Sequence, residues 1–322
     1  MAIDLQKILE ISGLYKDYLT SSGETLRAVA GIDFDVNDGE VFGLLGPNGA
    51  GKTTTIGMLT TRIKISGGTA IISGFDVAKE SMDVKKAIAV VPQTINLDRS
   101  LTARENLIFH AKYFGISTPK ACESADRLLK LMDLDRRASD YPTQFSGGMA
   151  RRLLIARALM HDPKIIFLDE ATTGLDPQSK RMIWDKVSEL SDEGHTIFLT
   201  THNMEEADRL CDRIAIMDAG KILALDSPSN LKKIVQGGNV IELQTKSDCE
   251  LFKEWLNDEL DGVHNIECSH SSIRLFLDLP EENMIKIMEI ARAHRVVLES
   301  IQLHGVTLED VFIHLTGKAL RE

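Results

Sequence analysis

One stretch of nine residues restricts the fold of this chain more than any other. It occupies positions 46–54 and matches the pattern G-x-x-x-x-G-K-[ST] of a phosphate-binding loop. An apolar run at residues 41–45 precedes it and predicts a short buried strand, and residues 54–61 can form a helix although Gly57 weakens it. The nine residues are Gly46, Pro47, Asn48, Gly49, Ala50, Gly51, Lys52, Thr53 and Thr54.

This strand–loop–helix context predicts that residues 46–54 bind the phosphates of a nucleotide. Glycines let backbone N–H groups wrap closely around phosphate oxygens, and a helix N-terminus adds a partial positive charge. We expect Lys52 to reach the β- and γ-phosphates and the Thr53 hydroxyl to ligate Mg²⁺. A Gly-rich turn without a ligand is the alternative, and the flanking strand and helix argue against it.

A carboxylate pair, Asp169 and Glu170, follows four consecutive apolar residues at 165–168. This pattern predicts a central strand of a parallel sheet, and ligands bind at the carboxyl ends of such strands. We expect Asp169 to hold Mg²⁺ and Glu170 to polarise an attacking water. Such pairs also occur as surface charges, but the distance along the chain from the phosphate-binding loop favours the functional interpretation.

Two further signals are weak when each is taken alone. Gln93 follows a short apolar strand and can face a phosphate or its metal, although a solvated loop position is the commoner case. Ser146, Gly147 and Gly148 precede a predicted helix that carries three arginines. They form either a second anion-binding helix start or an ordinary cap without a ligand.

A histidine and a tyrosine complete the set of candidate site residues. His202 ends an apolar strand predicted at residues 195–201 and can contact a γ-phosphate. Tyr18 lies at the end of the first predicted strand and can stack on an adenine. A structural role is the alternative for both residues, and the residues alone favour it.

Composition limits the classes of protein to consider. The chain has 322 residues with 43% hydrophobic content, and its net charge of −11 argues against a broad nucleic-acid surface. No apolar run approaches the ~18 residues of a membrane span, and we expect no signal peptide. We expect the scattered cysteines to be reduced thiols of a cytoplasmic protein. They are Cys122, Cys211, Cys249 and Cys268.

The pattern of predicted elements indicates two domains, at residues 1–230 and 231–322. Within the first we expect an edge strand at 8–19, a tight hairpin turn at 37–39 and a helical subdomain at about 94–160. The second has the predicted order βαββαβ, which is typical of a small ferredoxin-like domain.

In chain order, these motifs resemble those of an ATP-binding cassette (ABC) nucleotide-binding subunit. The phosphate-binding loop is followed by the glutamine, the Ser-Gly-Gly helix start, the Leu-Asp-Glu strand end, a Gly-Leu-Asp-Pro turn at 174–177 and the histidine. The resemblance covers about residues 8–230 and assigns Tyr18 to the adenine-stacking aromatic. It implies an α/β P-loop ABC ATPase with a mixed core sheet, an antiparallel β subdomain and a helical subdomain, followed by the small α+β domain.

Departures from the family pattern indicate a branch. Phe145 and Met149 replace the first and last residues of the usual Leu-Ser-Gly-Gly-Gln signature. A signature of the form aromatic-Ser-Gly-Gly-Met is similar to that of the drug- and antibiotic-exporter branch. Segments 308–312 and 315–320 also resemble the tail of that branch. Ala171 stands where the family often has proline, but the preceding glutamate keeps its place.

The resemblance implies a mechanism that needs two copies of the chain. They face head to tail with two ATP molecules between them, and each ATP touches the phosphate-binding loop of one copy and the Ser146–Gly148 helix start of the other. Asp176 crosses the interface. Glu170 activates water, while His202 and Gln93 hold the γ-phosphate and the metal.

ATP and Mg²⁺ are the implied cofactors. The implied partners are a second copy and a separately encoded integral-membrane permease, which docks on the helical insertion and the Gln93 loop, with no nucleic acid. The implied location is cytoplasmic, at the inner face of the cell membrane.

A non-transport ABC ATPase acting on ribosomes or DNA is the first alternative. The single cassette, the absence of a long heptad run and the acidic charge argue against it.

A regulatory module that holds ATP without turnover is the other alternative. The presence of Lys52, Asp169, Glu170 and His202 argues against that interpretation.

Overall fold

The computed structural model of the chain describes residues 6–21, 23–246, 249–269, 272–278 and 280–317. The chain divides into two compact units, of which one ends at Ser227 and the other begins at Pro228. The strands of the first unit are β1 (Lys7–Leu19), β2 (Thr25–Asn37), β3 (Val41–Leu45), β4 (Gly67–Ile72), β5 (Phe75–Asp76), β6 (Ile88–Val91), β7 (Ile165–Asp169), β8 (Thr196–Thr201), β9 (Arg213–Asp218) and β10 (Lys221–Asp226). Its helices are α1 (Lys52–Leu59), α2 (Ser81–Ala87), α3 (Ala103–Tyr113), α4 (Thr118–Leu131), α5 (Gly147–Ala158), α6 (Pro177–Asp192) and α7 (Met204–Leu210).

A six-stranded mixed sheet forms the centre of the first unit, in the order β10-β9-β3-β8-β7-β6. Five strands run parallel, and β10 pairs antiparallel with β9 at one edge. Every residue of β3, β7 and β8 is buried, as expected for strands covered on both faces. Leu45 pairs with Thr201, and Asp169 pairs with Thr200, so these three strands end side by side.

A second, antiparallel sheet has the order β2-β1-β4-β5, which corrects two predictions. The strand expected at an edge is β1, and it lies between β2 and β4. The prediction of a hairpin turn at residues 37–39 is wrong, because β2 and β3 belong to different sheets and do not pair with each other. The chain does turn there, but β3 is apolar enough to be buried on both faces and so joins the parallel sheet.

Aromatic rings join the two sheets of the first unit. Phe34 of β2 stacks on Phe42 of β3 with ring centroids 5.1 Å apart, and Phe42 lies 5.4 Å from Phe198 of β8. Phe198 is in turn 5.3 Å from Phe167 of β7. Buried rings in contact contribute both apolar burial and favourable ring geometry. This stack therefore fixes the strands whose ends carry the predicted site residues.

The helical segment lies between β6 and β7 in the chain. Its first helix, α3, begins with a capping box formed by Thr102 and Glu105. The next helix, α4, begins at Thr118 and has Pro119 in its first turn, where proline is favoured. The last helix, α5, has the predicted Ser146 cap.

The second unit is an α+β fold with the element order βαββαβ. Its strands are β11 (Asn239–Thr245), β12 (Val263–Ser269), β13 (Ser272–Leu277) and β14 (Leu298–Gly305), and its helices are α8 (Pro228–Lys232), α9 (Cys249–Glu259), α10 (Pro280–Ala293) and α11 (Leu308–Thr316). The strand order β12-β13-β11-β14, antiparallel throughout, is that of a ferredoxin-like sheet. Buried side chains of α9 and α10 pack against this sheet.

Cys249 and Cys268 form a disulfide, which corrects the prediction that all four cysteines are reduced. Cys249 begins α9 and Cys268 lies on β12, and these two elements pack against each other. A separation of 19 residues without a metal-ligand pattern could not reveal this pairing. Of the predicted tail segment, residues 318–320 lie outside the described residues.

No helix in the described part of the chain has the length and apolar character needed to cross a membrane.

Candidate nucleotide-binding and hydrolysis site

The phosphate-binding loop is the turn from β3 into α1, and its backbone passes very close to neighbouring strands. A Cβ atom at Gly46 would lie 2.1 Å from the carbonyl oxygen of Met217, and one at Gly51 would lie 2.6 Å from that of Ala28. Gly51 also has φ +111°, a conformation that side chains disfavour, immediately before the first residue of α1. These positions therefore require glycine for the loop to close tightly.

Hydrogen bonds to other strands hold this loop in place. The N–H of Gly46 donates to the carbonyl of Thr201 at the end of β8, at 3.2 Å. The N–H of Gly220, in the turn between β9 and β10, donates to the carbonyl of Ala50 at 2.9 Å. The loop is thus anchored on both sides and is shaped before any ligand arrives.

Lys52 is the first residue of α1, and its ammonium group lies inside the loop. Only 4% of the residue is exposed, and Nζ donates to the carbonyls of Gly46 at 2.7 Å and Pro47 at 3.0 Å. Burial lowers the pKa of Lys52, and the carboxylates of Glu170 and Asp169 act in the opposite direction. The loop thus presents a buried cation to whatever anion it binds.

Asp169 is the last residue of β7, and its carboxylate is buried beside the loop. The Thr200 hydroxyl donates to Oδ1 at 2.8 Å. Burial raises the pKa of Asp169, and the neighbouring Glu170 carboxylate raises it further. A buried carboxylate that is costly to ionise becomes favourable once a cation binds beside it.

Glu170 is contacted by four side chains from different parts of the first unit. Gln93 Nε2 and Thr173 Oγ1 each donate to Oε2 at 3.2 Å. His202 Nδ1 lies 3.4 Å from Oε2, and Lys52 Nζ lies 3.5 Å from Oε1. The structure therefore brings together the predicted lysine, glutamine, glutamate and histidine.

The backbone of Glu170 supports this position. Its φ is +45°, which is uncommon for a residue with a side chain and is found at functional sites. Its N–H donates to the carbonyl of Thr200 on β8 at 3.1 Å, which ties this residue to the neighbouring strand.

These residues fit a magnesium nucleotide. The loop and the start of α1 offer backbone N–H groups to phosphates, Lys52 offers a cation, and the Thr53 hydroxyl and the Asp169 carboxylate are oxygen ligands of the kind Mg²⁺ prefers. Among the described residues, His202 Nδ1 is buried without a hydrogen-bond partner. This unsatisfied ring nitrogen lies 3.4 Å from Glu170 Oε2, so the cluster keeps a buried polar group that a ligand can satisfy.

The second predicted anion site is separate from this cluster within one chain. Ser146 caps α5, with the Met149 N–H donating to its hydroxyl at 3.2 Å. Asp176 caps α6 in the same way, and a Cβ at Gly148 would lie 2.6 Å from Ser179 Oγ, so the two helix starts are close. In the described part of the chain, no hydrogen bond or ion pair joins residues 146–148 to the phosphate-binding loop.

Tyr18 lies near the end of β1 and is 36% exposed. Its partner on β2 is Leu26, two residues before Ala28, whose carbonyl lies against Gly51. The Lys16 ammonium lies 4.9 Å above the Tyr18 ring. The strand that pairs with Tyr18 therefore passes beside the phosphate-binding loop, and the contact of the ring with an adenine stays a prediction.

Sequence reasoning assigned no role to two threonines that hold the carboxylates. Thr200 contacts both Asp169 and the Glu170 backbone, and Thr173 contacts the Glu170 side chain. The polar pair Thr200-Thr201 at the end of an otherwise apolar strand is the signal that could have identified Thr200.

Asp169→Asn should make the nucleotide-free protein more stable at pH 7, by about 1–3 kcal/mol, because a costly buried charge is removed. The pKa of Asp169 lies above the ordinary 3.8, so its ionisation opposes folding at neutral pH, and the gain should shrink as the pH falls toward 3.8. Chemical denaturation at several pH values, with Asp192→Asn on the exposed part of α6 as the control, measures this. Thermal stabilisation by Mg²⁺ and a non-hydrolysable nucleotide should be lost, and an unchanged response would exclude Asp169 as a ligand.

Comparison with known proteins places these features in a family. The family described as ABC transporter matches residues 29–173. Linearmycin resistance ATP-binding protein LnrL of Bacillus subtilis (strain 168) is 38% identical over 296 residues, which cover 91% of this chain and 95% of that protein. Daunorubicin/doxorubicin resistance ATP-binding protein DrrA of Streptomyces peucetius is 39% identical over 316 residues, with coverage of 97% and 93%.

Nod factor export ATP-binding protein I of Rhizobium sp. (strain N33) is 39% identical over 314 residues, which cover 98% of both proteins. Among solved structures, an ATP-binding cassette dimer in a post-hydrolysis state with ADP and Pi has a TM-score of 0.62 and 27% identity. That comparison covers 68% of this chain and 98% of the other. The chain belongs to the ABC transporter family, as an ATP-binding and ATP-hydrolysing cassette.

Proposed function

We propose that the chain is the ATPase subunit of an ABC exporter whose membrane permease is a separate chain at the cell membrane. The observation that carries this proposal is the convergence of Lys52, Gln93 and His202 on the carboxylate of Glu170. Three similar proteins are named for drug resistance or Nod factor export, and each alignment extends into the second unit. The cargo class is therefore a drug, antibiotic or lipid-like molecule.

In the proposed reaction, Glu170 accepts a proton from the water that attacks the γ-phosphate. Lys52 and the N–H groups of its loop would hold the β- and γ-phosphates, and the imidazole of His202 would contact the γ-phosphate. Thr53 and Asp169 would hold Mg²⁺, which neutralises phosphate charge when it is bound. Gln93 orients the glutamate and the water.

A complete site is proposed to need a second copy. The helix start at Ser146–Gly148 offers N–H groups and a positive dipole end, and Ser146 and Gly147 are exposed. It lies outside the cluster around Glu170, so it is available to the ATP of another copy. The nearby Asp176 is also exposed and would cross to the opposite site.

The permease is proposed to dock on an apolar groove between the parallel sheet and the helical segment. Two adjoining cavities there, of about 560 and 380 Å³, share Asn96, Tyr113 and Phe114 in their walls. Tyr113 is 85% exposed and Phe109 is 66% exposed, an unusual cost for aromatic side chains in water. Asn96 belongs to the loop that follows Gln93, so a permease segment seated here would contact that loop.

Glu170→Gln should abolish turnover while ATP binding persists, because the amide keeps the shape of the carboxylate but cannot accept the proton. The expected result is loss of phosphate release by at least about a hundred-fold, together with an ATP-dependent dimer on size-exclusion chromatography. Wild-type protein with ADP is the monomer control. Near-normal phosphate release by the variant would exclude Glu170 as the base.

Phe109→Glu combined with Tyr113→Glu should reduce the amount of multi-span membrane protein that co-purifies with the tagged chain, because both charges enter the apolar groove. The ATPase rate of the isolated chain should be unchanged. Leu19→Glu, at another exposed apolar position on β1, is the matched control. Unchanged recovery of the membrane protein would place docking elsewhere, and recovery with ribosomes or DNA would contradict the exporter proposal.

A further inference from the structure

We infer that Arg151 is a positioning residue, which holds the backbone at Gln93 so that the Gln93 amide reaches Glu170. The inference rests on the proposed role of Glu170 as the base. It adds a link between the helix that begins at Ser146 and the group that orients the attacking water.

The contacts of Arg151 are directed at two consecutive carbonyl groups. Arg151 lies on α5 and is 3% exposed. One terminal nitrogen, Nη1, donates to the carbonyl of Pro92, and the other, Nη2, donates to that of Gln93 at 2.7 Å. The planar guanidinium fork can hold two acceptors at once in a fixed geometry, which a lysine ammonium cannot reproduce.

The loop that Arg151 holds has little support of its own. Residues 92–96 form neither helix nor strand. Arg157, two turns further along α5, donates to the carbonyl of Asn96 at 3.0 Å. Both ends of this segment are therefore fixed to one helix, and Arg151 acts at the end that carries the glutamine.

Burial of this charge carries a cost that the contacts offset only in part. Burial lowers the pKa of Arg151, while the nearby Asp169 carboxylate favours the charged form. Within the described residues, its Nε atom is buried without a hydrogen-bond partner. Since buried charges are poor sources of stability, its two directed contacts are better explained by geometry than by folding.

The remaining link is the side chain of Gln93, whose Nε2 lies 3.2 Å from Glu170 Oε2. Helix α5 is continuous over its twelve residues; Ser146 caps its start, and Arg151 lies within it. A shift of this helix start on engaging a second copy would therefore move the Gln93 backbone, and with it the amide beside Glu170. The helix thus reports nucleotide engagement at one site to the water-orienting group of its own copy.

Arg152 offers a matched control on the same helix. It is also buried, but it donates to the carbonyl of Met132 at 2.6 Å and lies 3.8 Å from the Asp133 carboxylate. These contacts stay within the helical segment and do not reach the Gln93 loop. Arg152→Met therefore removes a buried arginine without removing the proposed link.

A double-mutant cycle on the full chain tests the inference. We expect Arg151→Met to lower kcat for ATP about ten- to one-hundred-fold while the KM for ATP stays within about two-fold, because the loss concerns orientation rather than binding. The double variant Arg151→Met with Gln93→Ala should have a kcat no lower than that of the slower single variant. Both changes interrupt the same link between Arg151 and Glu170, so their effects should not multiply. Arg152→Met combined with Gln93→Ala should instead show multiplied effects.

Arg151→Lys keeps the charge but not the fork, so we expect an intermediate kcat at wild-type thermal stability; it also serves if Arg151→Met does not fold. Multiplied effects of Arg151 and Gln93 variants, or a wild-type kcat in both Arg151 variants, would overturn the inference. Full turnover by Glu170→Gln would instead overturn the proposed function, so the two failures are distinguishable.

Discussion

The carboxylate of Glu170 is the point on which the described site depends. Lys52, Gln93 and His202 come from three separate turns of the chain, and each lies within 3.5 Å of a Glu170 oxygen. The lysine supplies opposite charge in a buried place, where such attraction is stronger than in water. Asp169, next to this cluster, keeps its own carboxylate buried at a cost that a bound cation would relieve.

The fold makes this convergence possible by ending three strands side by side. Strands β3, β7 and β8 are buried on both faces, and the rings of Phe42, Phe167 and Phe198, which contact one another, fix their spacing. Their carboxyl ends carry the phosphate-binding loop, the carboxylate pair and the histidine. Ligand chemistry at the carboxyl ends of parallel strands follows from this topology.

Much of the core sheet and of the candidate site could be predicted from the sequence, because each motif follows the end of an apolar run. The buried strands before Gly46, Asp169 and His202 were predictable from their composition, and so was the ferredoxin-like element order of the second unit. What failed depended on long-range pairing. The turn at residues 37–39 does not reveal that its flanking strands join different sheets, and the Cys249–Cys268 disulfide joins a helix to a strand without a local signal.

The central claim is that one ATP is held by two copies, through the loop of one and the Ser146 helix start of the other. Turnover by mixed dimers, isolated with two different affinity tags, tests it most directly. A pair with Lys52→Ala on one copy and Ser146→Arg on the other has both defects at one site, so the account predicts turnover at the intact site. Both changes on one copy, paired with wild type, should damage both sites and stop turnover. Equal rates in the two arrangements would contradict the account.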